Sequence, residues 1–317
     1  MNAIADNFLF VATQVGVLFS LIAVGALCRK LRLLEEAAVK GMVNVLVLVV
    51  TPCLIVDSFR RPFDPSSLRL LALAFAIAFA AHIALVLFAT VAIRHRNADT
   101  RAVLRLAAVF SNAGFMGLPL EQALFGADGV FFGVVYVVVF NLFMWSWGLC
   151  VMKGAPAGKP GAKGLLPLFV NPGTVGLLVA LPLFFFSVRL PAVPSECIRL
   201  MASLNTPLAM LAIGFYLAGA VPGRIFRSPS AYIVSLVRLV AYPAAFIAVL
   251  IPFKGSLDRI MALSLVTAAS APVAAMVSMF ASKYNRDVDM SVGLVSGTTL
   301  LSMLTMPAAI SVAMSLL

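Results

Sequence analysis

Long apolar runs occupy nearly the whole chain, and short polar stretches separate them. A helix needs roughly 20 apolar residues to cross about 30 Å of hydrocarbon at 1.5 Å per residue. The strands of a membrane barrel would be about ten residues long and would alternate in polarity. The runs therefore predict an all-α integral membrane protein with ten transmembrane helices, at 7–28, 37–58, 68–93, 102–125, 129–152, 167–188, 196–219, 230–252, 257–282 and 288–315.

The composition supports this interpretation. Hydrophobic residues make up 62% of the chain and charged residues 11%, which is too apolar for the surface of a soluble domain. The first run carries Asp6 and continues to Cys28, too long for the apolar core of a cleaved signal peptide, so we expect it to be the first span. The four cysteines show no pairing or metal-ligand spacing and predict free thiols. The sequence has no nucleotide-binding glycine loop or Walker motif, and we expect no cofactor and no metal.

Basic residues are concentrated in particular loops, and this pattern predicts the topology. The net charge of +11 does not indicate nucleic acid, because positive charge in short loops fixes the orientation of membrane helices. The loops after spans 1, 3, 5, 7 and 9 hold most of the basic residues, which places those loops in the cytoplasm and both termini on the other side. We expect a multi-pass protein of the cell (inner) membrane. Arg60, Arg61 and Arg69 lie on the side that should be less basic.

The chain divides near its middle into two comparable halves. The segment 153–166 is rich in Gly, Pro and Lys, as flexible linkers are. It separates a first five-helix repeat, 1–152, from a second, 167–317. Thr-Pro pairs recur in spans 2 and 7, and the separation of Pro52 from Pro119 is nearly that of Pro207 from Pro272. Because each half has an odd number of spans, the second repeat is predicted to be inverted, a common plan of secondary transporters.

Spans 4 and 9 carry residues that break helices. Span 4 contains SNAGFMGLP, in which Gly114, Gly117 and Pro119 are predicted to interrupt the helix near mid-membrane. Span 9 contains SAPVAA, from Ser270 to Ala275, with the same expectation. Broken backbone at that depth is tolerated where it is buried in protein or lines a wet cavity. The alternative is a kink that serves only close packing.

Two such breaks would create a site for an anion. Each break exposes the N-terminus of a half-helix, whose free N–H groups and dipole attract negative charge. Ser111 and Asn112 can add side-chain donors, while Ser270 belongs to the second break. The pattern therefore predicts a small anion, most simply a carboxylate, as the ligand.

Four ionisable residues within the spans are candidates for coupling or gating, because charges inside a bilayer are expensive. Asp57 and Glu121 lie towards the outer ends of their spans, so either reaches water or binds a coupling ion. His82 is either a packing residue or a proton relay. Arg238 either snorkels to the membrane surface, forms a structural pair or attracts the substrate. Trp145 and Trp147 in span 5 are interpreted as packing or interface residues.

Several segments resemble the auxin efflux carrier family, which includes bacterial organic-anion carriers. The most specific is SNAGFMGLPL, which is similar to the span-4 signature of that family. Further similarity covers nearly the whole chain, in TPCLIVDSF (51–59), LNTPLAMLAIGFYLAG (204–219), the spacing of Arg238 and Pro243, and residues 280–310.

The resemblance implies a fold and a site. Spans 1, 2, 6 and 7 would form a scaffold and homodimer interface, and spans 3–5 and 8–10 a mobile transport domain. Asn112 matches the asparagine that holds the substrate carboxylate, and Pro119 and Pro272 match the prolines at the crossing. The backbone of Ala271, Pro272, Val273 and Ala274 would lie beside the ligand. Asn205 stands where some members carry an acid.

The sequence thus predicts a secondary transporter of a small organic anion, either a malonate-like dicarboxylate or a monocarboxylate, that works by an elevator-type movement. A sodium-coupled symporter similar to the bile acid/sodium symporter family is an alternative, with Glu121 and Gln122 as candidate ligands. An anion channel and a receptor are others. An enzyme is not expected, because Ser111 and Ser270 have no recognisable base. The expected partners are the anion, the lipid bilayer and a second copy of the chain.

Overall fold

The computed structural model describes residues 3–154, 172–219 and 228–317, and the regular elements of these residues are helices, with no β-strand among them. Seven helices are long and apolar enough to cross a membrane, and two shorter apolar helices lie at Gly173–Phe185 and Arg259–Ser270. The longest, Ala113–Lys153, turns back at Gly126, where φ is 63° and ψ is −148°, so it contains segments of two spans. The described helices are therefore compatible with the ten predicted spans.

The bounds of the helices follow the predicted order. Span 1 is Ala3–Lys30, span 2 is Glu36–Phe59 and span 3 is Pro65–Ala92; span 4 comprises Ala98–Val109 and the helix from Ala113 to the turn at Gly126; span 5 ends at Lys153. The described portion of span 6 is Pro172–Phe185; span 7 comprises Ala192–Ser203 and Asn205–Gly219; span 8 is Pro229–Phe253; span 9 comprises Arg259–Ser270 and Ala275–Lys283; span 10 is Val288–Leu316. The predicted linker 153–166 lies, beyond Gly154, outside the described residues.

Large apolar side chains cover the outside of the helices, as expected of a surface in contact with lipid. Leu9 and Leu304 are each 68% exposed, and Leu87 is 60% exposed. Such a surface would be unfavourable in water. Exposed apolar patches of this extent are found where proteins contact membranes or partners. The protein is thus a multi-pass membrane protein.

Two pairs of helices approach closely through glycine. A Cβ on Gly25 of span 1 would overlap the carbonyl oxygen of Leu211, and one on Gly214 of span 7 would overlap that of Ile22. A Cβ on Gly176 of span 6 would lie 2.9 Å from Cα of Pro52 in span 2. These contacts join the spans expected to form the scaffold, although its separation from a moving domain stays a prediction.

A wide helical turn precedes three of the intramembrane prolines. In spans 2, 4 and 8 a π-helical turn of five residues ends two positions before Pro52, Pro119 and Pro243. Proline has no N–H and its ring collides with the carbonyl of the preceding turn in a regular α-helix. The π-helical turn shifts the hydrogen bonds by one residue and so accommodates the ring without ending the helix.

This arrangement corrects the predicted position of the break in span 4. Gly114, Gly117 and Pro119 do not interrupt the helix, because the first two lie in the π-helical turn Ala113–Gly117 and Pro119 lies in the helix that follows. The backbone instead leaves the helix at Phe110, where φ is −99° and ψ is 112°. Only in span 9 does a proline mark the break, because Pro272 forces the preceding Ala271 into an extended conformation, with φ −63° and ψ 149°.

Candidate functional site

The two broken spans meet at the breaks themselves. Ser111 and Val273 face each other as an antiparallel bridge. The N–H of Asn112 donates to the carbonyl of Pro272 at 2.6 Å, and the N–H of Ala274 donates to the carbonyl of Phe110 at 2.9 Å. Each extended segment thus satisfies backbone groups of the other, which is how irregular backbone can persist at this depth.

Arg238 of span 8 joins the ends of the two preceding half-helices. Its guanidinium is completely buried and donates to the carbonyl of Val109 at 3.3 Å and to the carbonyl of Ala269. The last carbonyls of a helix lack intrahelical donors and carry partial negative charge. One cation therefore neutralises the negative ends of both half-helices, and it also lies 4.7 Å from the ring centre of Tyr242.

The positive ends of the opposite half-helices remain available. The second half of span 4 begins after Asn112, which has no side-chain capping bond, and the second half of span 9 begins after Ala274, which has none. The first N–H groups of each helix have no partner within the helix. Thr298 of span 10 holds the second break in place, since its hydroxyl accepts from the N–H of Val273 at 3.1 Å.

A cavity of about 300 Å³ lies beside these two helix ends. This volume is at the lower end of the range of about 300–1,000 Å³ that is usual for small-molecule sites. Its described lining comes from spans 2 and 6 on one side and from spans 4, 5 and 9 on the other: Val43, Val47, Thr51, Ile55, Ser111, Asn112, Gly114, Phe115, Leu118, Val134, Val137, Val138, Phe140, Asn141, Trp145, Gly173, Ala274, Ala275, Met276 and Met279.

The lining is apolar apart from a few groups, and no described residue in it carries a charge. The Oγ of Ser111 and the Nε1 of Trp145 are buried and have no hydrogen-bond partner within the described structure. The Nδ2 of Asn141 donates one hydrogen to Val137, so its second N–H and its carbonyl oxygen are left for other contacts. A site with donors, two positive helix ends and no carboxylate in its described lining is suited to a small anion.

The structure brings some of the predicted substrate residues to the cavity and separates others from it. Ser111, Asn112 and Gly114 line it. Ala271, Pro272 and Val273 form the second break behind the lining, and the hydroxyl of Ser270 bonds back to Val266 at 2.7 Å. Gly117, Pro119 and Asn205 do not line it. Asn205 is buried next to it, with its Oδ1 3.4 Å from the hydroxyl of Thr51, which does line the cavity.

Sequence reasoning missed the contribution of spans 2 and 5. Val43, Val47, Thr51 and Ile55 follow at intervals of four residues and so share one face of a helix. Asn141 is a polar residue within an apolar run, a signal that a search for charges and helix breaks overlooks. Trp145, interpreted from the sequence as a packing or interface residue, has an N–H without a partner in the described structure and lines the cavity.

The four ionisable candidates occupy different surroundings. Asp57 pairs with Arg60 at 2.9 Å, and Arg61 pairs with Asp128 at 2.7 Å, so two arginines on the side predicted to be less basic have acidic partners. His82 is buried against the rings of Tyr136 and Phe143, and its Nδ1 lies 2.8 Å from the carbonyl of Ala78. Neither Asp57 nor His82 lines the cavity.

Glu121 has the least ordinary surroundings of the four. Its side chain is completely buried, so it does not reach an outer vestibule, and neither carboxyl oxygen has a hydrogen-bond partner within the described residues. Gln122, the second candidate for a sodium site, is exposed. The described ranges of the chain contain no group of three or more His, Cys, Asp or Glu that could hold a metal ion.

Two comparisons with known proteins bear on this site. A sequence model of a family described as membrane transport protein matches residues 10–164 and 159–310. An uncharacterized transporter of Methanothermobacter thermautotrophicus is 26% identical over 297 residues, which cover 90% of this chain and 93% of that protein. The match in both halves is compatible with the predicted repeat.

Proposed function

The chain belongs to the membrane transport protein family, the auxin efflux carriers that its motifs resemble, and from that premise we propose that it is a secondary transporter of a small organic anion. One observation carries the proposal. The cavity at the crossing is lined by the N-terminal ends of two half-helices and by no charged side chain among the described residues. Helix ends of this polarity stabilise negative charge, and a lining without carboxylates does not oppose it.

The carboxylate of the substrate would lie between the two helix ends. Asn112 would donate from its side-chain amide, and the hydroxyl of Ser111 would supply a second donor. Trp145 of span 5 would supply a third donor from its indole N–H. The apolar remainder of the lining favours a compact organic anion, such as malonate, lactate or pyruvate, over a strongly hydrated inorganic ion.

An elevator-type movement would carry this site across the membrane. Spans 2 and 6 supply one wall of the cavity, and spans 4, 5 and 9 supply the other wall and the helix ends. If the first wall stays fixed, a sliding movement of the second carries the anion with it. Arg238 and Thr298 support this proposal, because they bind the broken backbone to spans 8 and 10, so that these spans would move together as a rigid body.

A thermal-shift screen of the purified protein against malonate, lactate and pyruvate, with and without sodium, tests the proposal. A ligand that binds only the folded state raises the melting temperature by mass action. We expect a shift with at least one carboxylate that does not require sodium. In Asn112→Ala we expect the same unliganded melting temperature within a few degrees and an affinity weaker by about 1–3 kcal/mol, the cost of an unpaired buried group.

Asn44→Ala is the matched control, because Asn44 is an exposed asparagine of span 2 outside the cavity. It should leave the carboxylate shift unchanged. Equal affinity in Asn112→Ala and wild type would remove Asn112 from the site. A shift that appears only with sodium would instead favour the sodium-coupled alternative.

A further inference from the structure

The carboxyl group of Glu121 lies in a space that a glycine leaves open. A Cβ on Gly133 would overlap Oε2 of Glu121 and would lie 2.9 Å from Oε1. A Cβ on Gly117 would lie 3.8 Å from Oε1. The group is therefore held against the backbone of span 5, just after the turn at Gly126, and any larger residue at Gly133 would displace it.

No charge compensates this carboxyl within the described structure. Three titratable residues on the helices packed around it have other contacts: His82 on span 3 bonds to Ala78, Asp57 on span 2 pairs with Arg60, and Arg259 on span 9 bonds to the carbonyl of Met314. The other charged residues of these helices make no hydrogen bond or ion pair with it in the described structure: Arg69 on span 3 and Asp6, Arg29 and Lys30 on span 1. Asp128 at the start of span 5 pairs with Arg61. An ionised carboxylate without a counter-charge is very unfavourable in such surroundings, whereas a neutral carboxylic acid is not.

Glu121 also shares a half-helix with the proposed anion site. It lies nine residues after Asn112, or about 13 Å along a helix at 1.5 Å per residue. A negative charge on Glu121 would oppose an anion at the N-terminal end of this half-helix. At an effective dielectric constant of about 20, a unit charge at that distance changes anion affinity by roughly tenfold.

We propose that Glu121 is a proton-binding site that couples proton and anion transport, with the neutral acid as the form that accompanies the bound anion. The inference rests on the proposed function and adds the coupling ion to it. The carboxylate takes up one proton where water reaches it, becomes a carboxylic acid, and is buried against Gly133. It returns the proton when the transport cycle brings it back into contact with water, so each anion moves with one proton.

The first test needs no substrate. Infrared spectra of the reconstituted protein at pH 7 should contain the C=O band of a protonated carboxyl from Glu121. Exposed glutamates, with a usual pKa of about 4.3, are ionised at this pH and do not contribute to the band. The band should be lost in Glu121→Gln and retained in Glu196→Gln, whose target is an exposed glutamate paired with Arg199. Identical spectra for wild type and Glu121→Gln would overturn the proposal.

The second test measures coupling. Proteoliposomes with an internal pH indicator receive labelled malonate, lactate or pyruvate in separate samples. Wild type should acidify the interior as the carboxylate enters, and Glu121→Gln should take up the carboxylate without the acidification. Carboxylate affinity in wild type should fall by roughly tenfold as pH rises past the titration of Glu121, and it should stay constant in the variant.

The outcomes separate the two proposals. Uptake by wild type without proton movement would overturn the coupling role and leave anion transport standing. If none of the three anions moves in either protein, the proposed function fails, and the infrared result alone decides whether Glu121 binds a proton. A requirement for sodium in wild-type uptake that is lost in Glu121→Gln would replace the proton by a sodium ion and overturn the proposal.

Discussion

Arg238 and Glu121 are both completely buried, yet their surroundings are opposite. Arg238 donates to the last carbonyls of two half-helices and lies over an aromatic ring. Glu121 has no hydrogen-bond partner for either oxygen in the described structure. A buried charge with compensating dipoles holds a structure together, whereas a buried acid without compensation is stable in its neutral form and becomes charged only when its surroundings change. The first side chain is therefore expected to serve stability, and the second function.

The largest effect should follow from replacing Arg238. In Arg238→Met the carbonyls of Val109 and Ala269 lose their donor, and each buried acceptor left unpaired costs about 1–3 kcal/mol. Thermal melting in detergent should show a loss of several degrees or failure to fold. Arg238→Lys keeps the charge but not the planar fork, so it should recover only a fraction of the loss. Melting of Arg238→Met like wild type would contradict the bracing role.

A smaller effect is expected at Gly133. In Gly133→Ala the new methyl group collides with the carboxyl of Glu121, and overpacking of this kind costs about 1–3 kcal/mol. Gly16→Ala is the control, because nothing lies within 4 Å of a Cβ there. Glu121→Ala combined with Gly133→Ala should be more stable than the sum of the single effects predicts, since one change vacates the space that the other fills. Additive melting shifts would show that the two residues are not in contact.

Thr298→Val tests a neutral contact at the same crossing. The variant removes the acceptor for the N–H of Val273 and should destabilise the protein by about 1 kcal/mol. Because the second break would be held less firmly, carboxylate affinity should fall as well. Ser256→Ala, at an exposed hydroxyl that bonds to Phe253, provides the comparison and should change neither quantity. Unchanged affinity in Thr298→Val would mean that the break keeps its shape without this bond.

The smallest effect on stability is expected for Glu121→Gln. If the carboxyl is neutral in the folded protein, glutamine replaces it with a neutral group of nearly the same shape. The free energy of unfolding at pH 7 should then change by no more than about 0.5 kcal/mol. Melting curves of the two proteins in the absence of carboxylates measure this directly. A large loss of stability would show that Glu121 is ionised and paired. Glu121 would then be a compensated buried charge like Arg238, and the contrast between the two residues would not hold.

The sequence predicted the class of fold because apolar length is a strong and local signal. It located the breaks to within one segment, but in span 4 it assigned the interruption to Pro119 rather than to Phe110–Asn112. Whether a proline ends a helix depends on whether the preceding turn can widen. The preceding turn in span 4, Ala113–Gly117, is π-helical, so each of its hydrogen bonds spans one residue more than in an α-helix. This choice is decided by tertiary packing and was not visible in the composition of the segment.

The partners of buried charges were beyond sequence reasoning for a similar reason. Arg238 donates to the backbone carbonyls of residues 109 and 269. Because every residue has a backbone carbonyl, the sequence does not show which of them accepts. The space around Glu121 depends on Gly133, which comes opposite it only because the chain reverses at Gly126. Asn112, in contrast, lies within the motif itself and lines the cavity, and its role in binding an anion stays a prediction.

Counterflow tests the central claim most directly, namely that the crossing cavity carries an organic anion. Proteoliposomes loaded with unlabelled malonate, lactate or pyruvate are diluted into a trace of the same labelled anion, and internal label is followed over time. We expect transient accumulation of label with wild type for at least one anion, and its loss in Asn112→Ala but not in Asn44→Ala. Uptake that is indifferent to the internal anion would indicate a pore, and no uptake of any carboxylate would contradict the proposed function.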